Sequence, residues 1–347
     1  MDQFYTLSVK EINRQTNKAV NIIFDVPSEY ASEFTFKAGQ YLTLETTIDG
    51  EEVRRSYSIS SEEGEQLGIV VKAIPGGKFS NYANLVLSEG DTINVHPAEG
   101  KFLLPEHKDD KTFCAFAAGS GITPIMSMIQ TLLSQSATSK FVLVYGNKSP
   151  QQTIFLQELL SLQKKYPKRF FPEFIYSEAK EDSARFGRIE PSTVNYIIKN
   201  KYEGLEFSEF YLCGPEPMIE AVTESLKTAG IDEDTIKYEL FFSMSEGSVE
   251  ANTEGKTSLK VIVDDEEFEL SMDQSDVLLD AILAKDIDAP YSCQGGICSS
   301  CVAKIKEGTV EMRKNQILTD DELEEGLVLT CQAQPTSAKV VVDYDDI

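Results

Sequence analysis

Four cysteines constrain this chain more than any other feature. Cys293, Cys298 and Cys301, followed at a distance by Cys331, give the spacing C-x4-C-x2-C…C, which holds a plant-type 2Fe-2S cluster between four thiolates. Gly295 and Gly296, inside the first three, let the backbone wrap closely around a ligand. Cys331 arrives from a strand-like run, Leu327 to Thr330, behind a turn at Gly326. A structural zinc site is the competing reading. Zinc usually draws on two close ligand pairs, however, and only Cys298 and Cys301 form one. The segment reads as one end of an electron-transfer chain.

At 347 residues the chain is too long for one ordinary core and implies two or three domains, of which the cluster segment fills only the last. With four of the six cysteines assigned to iron, only Cys114 and Cys213 remain. No disulfide framework is needed, and a reducing compartment fits. Met1 to Asn21 lacks the apolar core of a signal peptide, and no run approaches the length that spans a bilayer. The expected location is the cytoplasm, away from membranes. The net charge of −25 argues against nucleic acid, whose phosphates it would repel. From Thr257 to the end there are 20 acidic and 7 basic residues, a net −13. Solubility accounts for such a tail, and so does an acidic face that docks on a basic redox partner. His96 and His107 are the only histidines and neither is near the cysteines, which argues against a Rieske centre and against histidine-based catalysis.

From Phe4 to about Pro97, short alternating runs such as Tyr5–Lys10 and Tyr41–Glu45, separated by turn residues, predict an antiparallel barrel with one short helix near Ser80–Leu87. From Lys111 the style changes. Phe113–Ala118 is a continuous apolar run of the kind buried in a parallel sheet, and strand and helix patterns alternate to about Phe242. The first helical pattern opens at Thr123-Pro124, a cap followed by proline at the first helical position. Further strands are expected at Phe141–Tyr145, Phe170–Tyr176 and Glu209–Cys213. The polar stretch 243–256 reads as a linker. The expected boundaries are 1–107 for the barrel, 108–243 for the α/β domain, 244–256 for the linker and 257–347 for the cluster domain.

Gly119-Ser-Gly-Ile-Thr-Pro124 lies between a buried strand and a helix start, where backbone amides favour a phosphate. Pro124 replaces the last glycine of G-x-G-x-x-G, so alone the motif is weak. Joined with Arg55-Ser-Tyr-Ser58, Gly77-Lys-Phe-Ser80 and Cys213-Gly-Pro-Glu-Pro-Met218 in this order, it resembles the ferredoxin-NADP reductase superfamily. With the ferredoxin-like tail, the resemblance covers nearly the whole chain. The order flavin, nicotinamide, 2Fe-2S is similar to the reductase components of bacterial oxygenases, nearest the phenylacetyl-CoA epoxidase reductase family, with the ketosteroid hydroxylase reductases beside it. The implied fold is multi-domain: an antiparallel β-barrel for FAD, an α/β parallel-sheet domain for NAD(P), and an α+β, β-grasp ferredoxin domain.

The resemblance implies roles for individual residues. Arg55 would pair with the FAD pyrophosphate, Tyr57 would stack on the isoalloxazine, and Ser58 would hydrogen-bond near its reactive N5, with Ser56 between them. Val71 and Lys72 would line the ribityl and phosphate region, while Gly77, Lys78, Phe79 and Ser80 would carry the pyrophosphate, Ser80 through its hydroxyl. Gly119, Gly121 and Thr123 would contact the nicotinamide dinucleotide's pyrophosphate, and Cys213 and Gly214 would lie beside the nicotinamide. Glu239 and Phe241 match a pattern near the flavin, which makes Ser58, Cys213 and Glu239 the candidate catalytic set. Against these roles, Arg54 and Arg55 read equally as solvated strand residues, Tyr57 as barrel packing and Cys213 as a core thiol. At the end of the second strand of the α/β domain, Tyr145-Gly-Asn-Lys-Ser149 carries no acid, and Lys148 suits a 2′-phosphate. NADPH is therefore expected over NADH, although Lys148 also reads as a solvated loop lysine.

The resemblance thus implies an NAD(P)H-dependent reductase that passes electrons through FAD and a 2Fe-2S cluster to a terminal oxygenase or another redox protein, in phenylacetate or aromatic degradation. The alternatives are a reductase for another hydroxylase, a desaturase or a hybrid-cluster protein, and a non-catalytic redox-responsive module.

Overall fold

Alternation in the first hundred residues builds strands whose inward faces carry Leu7, Val9, Ile22, Leu42, Leu44, Ile69 and Val71, all buried. These strands are β1 (Tyr5–Thr16), β2 (Ala19–Asp25), β3 (Tyr41–Ile48), β4 (Glu51–Ser58), β5 (Gly68–Lys72) and β6 (Thr92–Val95), in the order β4-β3-β6-β1-β2-β5, every pairing antiparallel. A bridge between Ile59 and Ile69 joins the two ends of the sheet and closes the barrel. Helix α1 (Lys78–Leu85) follows β5, two residues earlier than the expected helix, and buries Phe79 and Ala83. The computed structural model describes residues 3–240, 255–285, 287–296 and 298–347. These fall into two compact units, within Phe4–Phe241 and within Phe242–Ile347. Phe241 and most of the expected linker, 243–254, lie outside the described residues. Lys256, expected to be the linker's last residue, instead opens a strand, because its backbone pairs opposite Asp273.

The second half of the first unit is a parallel sheet. Its elements are β7 (Thr112–Ala118), α2 (Ile122–Gln135), β8 (Lys140–Asn147), α3 (Leu156–Lys165), β9 (Phe170–Tyr176), β10 (Arg185–Phe186), α4 (Pro191–Tyr196), β11 (Glu209–Gly214), α5 (Glu216–Thr228) and β12 (Ile236–Leu240). The strand order β10-β9-β8-β7-β11-β12 reverses direction at β7, which opens a crevice beyond the carboxyl ends of β7 and β11. Phe113, Cys114, Ala115, Phe116 and Ala117 are fully buried, as a strand covered on both faces requires. Thr123 does not cap α2. The helix starts at Ile122 behind Gly121, and Thr123 donates its hydroxyl proton to the Ser120 carbonyl at 3.1 Å. The 3-10 turn Gly119–Gly121 has already begun the coil, so the cap residue falls two places earlier.

Barrel and parallel sheet are fastened together by polar side chains of α2. Ser127 donates to the Ser61 carbonyl at 2.6 Å, Gln130 donates to the Ser60 carbonyl at 3.2 Å, and Thr131 accepts the Glu63 amide at 3.0 Å. Gly39 sits at the same seam with φ +105°, where a Cβ would run into the Phe102 carbonyl oxygen and lie 2.6 Å from Cε of Met128.

The second unit contains β13 (Lys256–Val263), β14 (Glu266–Asp273), α6 (Leu278–Leu283), β15 (Val302–Glu307), β16 (Val310–Met312), α7 (Asp320–Glu324), β17 (Leu327–Leu329), β18 (Ala333–Pro335) and β19 (Lys339–Asp343). Its mixed sheet, ordered β14-β13-β19-β15-β17 with β13 and β19 parallel, packs Leu259, Val261, Val340 and Val342 with Leu278, Leu279 and Ile282 of α6. This is the expected β-grasp arrangement. Among the described residues no helix is long and apolar enough to cross a membrane.

Gly39→Ala is expected to destabilise the first unit by roughly 2–4 kcal/mol, because it adds left-handed strain to a backbone collision. Urea unfolding followed by circular dichroism checks this, since the chain has no tryptophan.

Candidate functional site

At the strand-order reversal, the turn after β7 lies directly on the end of β11. A Cβ on Gly121 would collide with the backbone carbonyl of Cys213, and one on Gly214 would lie 2.8 Å from Cε of Met218 and 3.2 Å from Ala118. Gly119 adopts φ +55°. The fully buried Tyr145 donates its hydroxyl proton to the Gly119 carbonyl at 2.8 Å and so pins the turn. Thr123 spends its hydroxyl within the same turn, which makes it a support for the glycine backbone. Turn amides and a helix start then face one place, as an anionic group requires.

Positive charge collects there. A Cβ on Gly119 would lie 3.3 Å from Nζ of Lys72, which extends from the last residue of β5. Burial, and then repulsion from Lys148 and Lys18, lowers the Lys72 ammonium below its ordinary value. An anion between these lysines would relieve that repulsion. Lys18 carries no signal in the sequence because it lies in the β1–β2 turn, far from any motif. Val71 points the other way, into the barrel core, so only its backbone is open to a ligand; its carbonyl already accepts from Asn84 at 3.1 Å.

On the barrel side, β4 presents Arg55, Tyr57 and Ser58. The Tyr57 ring lies 5.4 Å from that of Phe79, and burial pushes its phenol well above the ordinary value. Phe79 is itself buried under the barrel. Arg55 donates to the Arg54 carbonyl at 2.6 Å. Arg54 is not a solvated strand residue: it is buried and ion-paired with Glu45 at 2.6 Å. Ser56 faces Thr43 across the β3–β4 ladder, their hydroxyls 3.3 Å apart. Lys78 is ion-paired with Glu51. The Ser80 hydroxyl accepts the Ile74 amide at 3.3 Å and donates to the Gly77 carbonyl at 3.4 Å, so it closes its own loop. The amides of the first turn of α1 have no intrahelical acceptor. A Cβ on Gly77 would lie 2.6 Å from Ile74 Cγ1, so this cradle requires glycine.

The three candidate catalytic residues converge. Ser58 donates to Glu239 Oε2 at 3.2 Å across 181 residues of sequence, and Cys213 pairs with Glu239 in the β11–β12 register. Glu239 as a whole is only partly buried, but its carboxyl is enclosed, and that enclosure raises its pKa to about 8 against the Ser58 hydrogen bond that lowers it. Burial, and then the Glu239 charge, holds the Cys213 thiol well above its ordinary value. A fully buried neutral thiol and a carboxyl that holds its proton near neutrality form a corner able to keep a proton at Glu239 and deliver it.

Lys148 is ion-paired with Glu178 at 2.9 Å. Glu178 lies just beyond the adjacent strand β9, where strand-end reasoning on β8 alone does not look.

In the second unit the four cysteines meet. Cys293 stands near Cys298 and Cys331, and Cys301 near Cys331, closely enough that each shifts the other's ionisation. The nearness of Cys293 and burial push the Cys298 and Cys331 thiols up, while the nearness of Cys331 draws Cys301 down. None of the four is in a disulfide. The loop is shaped by Gln294 at φ +52° and Gly296 at φ +74°, and the Gly295 amide donates to Cys293 Sγ at 3.3 Å. Four cysteines free of disulfides suit the donor set that a thiolate-held cluster needs.

Residues 6–103 match the oxidoreductase FAD-binding domain, 116–224 the oxidoreductase NAD-binding domain, and 261–336 the 2Fe-2S iron-sulfur cluster binding domain. The chain belongs to the ferredoxin reductase-like NAD(P)H-dependent oxidoreductases that combine these three domains in one polypeptide. Within them it is 37% identical to a component of the 1,2-phenylacetyl-CoA epoxidase of Escherichia coli (strain K12), over 99% of each chain. It is 32% identical to the 3-ketosteroid-9-alpha-monooxygenase ferredoxin reductase component of Rhodococcus rhodochrous, over 97% of this chain and 96% of that one. Phthalate dioxygenase reductase shares the fold, with a TM-score of 0.68 at 23% identity over 99% of this chain and 98% of that one.

Protein stripped of flavin should lose stability as pH rises from about 4.5 to about 8, because there the folded state holds the Glu239 proton that the unfolded chain has released. Glu239→Gln should flatten that slope, an effect on the order of a few kcal/mol. Urea midpoints measured across the range decide it.

Proposed function

We propose that this protein takes hydride from NAD(P)H and delivers the electrons one at a time to an oxygenase, with 1–107 as the FAD domain, 108–243 as the dinucleotide domain and 257–347 as the cluster domain. The observation that carries the reading is the meeting of Ser58, Cys213 and Glu239, from the barrel and from two parallel strands, at the mouth of the crevice. When bound, FAD supplies the conversion from a two-electron donor to single electrons, and the cluster supplies their exit. Arg55 and the first-turn amides of α1 would hold the flavin's phosphates, and Tyr57 its ring. The Gly119–Gly121 turn with Lys72 would hold the dinucleotide's pyrophosphate. Ser58 keeps the Glu239 carboxyl oriented, and Cys213 supplies a neutral, water-excluding wall beside it. Cys293, Cys298, Cys301 and Cys331 would ligate the irons.

An oxygenase as acceptor is supported by the relatives: a phenylacetyl-CoA epoxidase, a ketosteroid monooxygenase and, at 31% identity, the glycine betaine monooxygenase reductase of Pseudomonas aeruginosa (strain UCBPP-PA14). Identity over the full chain favours an epoxidase acting on an aromatic thioester. Six cysteines with no disulfide among them favour the cytoplasm. On the dinucleotide, the Lys148–Glu178 pair changes the expectation. A carboxylate beside the lysine opposes a 2′-phosphate and suits a ribose 2′-hydroxyl, so NADH is the better fit.

Two experiments test these statements. Cys331→Ser should keep NADH-driven ferricyanide reduction within about twofold while abolishing turnover of the oxygenase; undiminished oxygenase turnover would refute the route through the cluster. Glu178→Gln should raise kcat/KM for NADPH by roughly tenfold relative to NADH, about 1.4 kcal/mol, because it frees Lys148 for the phosphate. An unchanged ratio would remove Glu178 from the dinucleotide site.

A further inference from the structure

One buried phenol stands behind the Gly119–Gly121 turn, on its core side. Tyr145 is fully buried in β8, within the apolar cluster that also holds Ile122, Ile129 and Phe174. Strand register sets it beside Ala117 of β7, and the length of the ring carries its hydroxyl on to the Gly119 carbonyl, at 2.8 Å. The Ile154 carbonyl stands 3.4 Å from the same oxygen. A phenol has one proton to give, and the shorter contact takes it. Phenylalanine would fill the same space, so packing alone does not ask for a hydroxyl here.

The direction of that bond fixes more than a carbonyl. A trans peptide is planar, and its C=O and N–H point to opposite sides. With the Gly119 oxygen drawn toward the core, the Ser120 amide in the same plane is turned away from the core, outward past the carboxyl end of β7. Ser120 lies in the first turn of the 3-10 coil, so its amide has no acceptor within that coil. Gly119, at φ +55°, has no Cβ to resist rotation of this peptide. Flipped, the plane would present a carbonyl oxygen to an anion and hide the amide. The phenol opposes the flip.

We propose that Tyr145 is a positioning residue for the dinucleotide: by holding the Gly119 carbonyl in the core, it keeps the Ser120 amide aimed at the pyrophosphate. The inference rests on the Gly119–Gly121 turn being the pyrophosphate's site. A hydrogen bond to a charged phosphate oxygen is stronger than one between neutral groups, and a flipped peptide replaces it with repulsion. The effect is therefore confined to hydride donors that carry phosphate.

The test compares two donors on the full-length holoprotein: NADH, and N-benzyl-dihydronicotinamide, which has the same reactive ring and no phosphate. Tyr145→Phe should lower kcat/KM for NADH about tenfold, mainly through KM, as expected for one hydrogen bond to a charged group. Flavin reduction by the benzyl compound should fall far less. Unchanged kinetics with NADH overturn the proposal, and so does an equal loss with both donors, which marks general damage to the fold. If Tyr145→Phe does not retain FAD, hydrogen exchange on the wild-type protein decides instead. ADP should slow exchange at the Ser120 amide and adenosine should not; an amide that ADP leaves unprotected overturns the proposal. Wild-type protein whose flavin is reduced by the benzyl compound but not by NADH would sink the dinucleotide reading itself, an outcome distinct from NADH kinetics that ignore Tyr145.

Discussion

Much of the first unit depends on one close contact, that of Gly121 against the carbonyl of Cys213. No side chain fits between them, so the turn after β7 lies directly on the carboxyl end of β11. That proximity aims the Gly119–Gly121 turn into the crevice and sets Cys213 at its edge. Through the β11–β12 register it also brings Glu239 alongside, within reach of Ser58 from the barrel. The polar fastenings of α2 to the loop after β4 then keep Ser58 in range.

The charges around this crevice are arranged against their own solvation. Lys72 is partly desolvated and repelled by Lys148 and Lys18, while Glu239 holds its proton to about pH 8. Both features cost stability in the protein alone, as titratable groups gathered at functional sites often do. A fold selected for stability alone would place neither group there. Burial alone pushes the thiol of Cys114, also fully buried, above its ordinary value, whereas at Cys213 the Glu239 carboxyl adds to burial.

The iron-sulfur unit solves a different problem, that of presenting four sulfurs to one volume without letting them oxidise to disulfides. Three come from a loop shaped by left-handed Gln294 and Gly296, and the fourth from the far end of the short strand β17.

Where the physics is local, the chain could be read directly. Cysteine spacing, strand alternation, the buried run Phe113–Ala118 and the glycines of the 119–121 turn are properties of neighbours in sequence, and the barrel and the parallel sheet followed from them, while the β-grasp domain came from the resemblance. Resemblance added Ser58, Cys213 and Glu239 as a set, but their meeting is a matter of register between strands far apart. What the sequence left unread is also of this kind. Thr123 and Ser80 look like caps or ligand contacts in one dimension, yet their hydroxyls are consumed by Ser120 and by the 74–77 loop. Lys148 looks free, yet Glu178 reaches it from beyond the adjacent strand. By itself the sequence determined the three domain types and the groups able to carry charge and electrons, because spacing and periodicity encode them. Only the tertiary structure decided which of those groups face one another, because a hydrogen bond or an ion pair acts over a few ångströms and takes no account of separation along the chain.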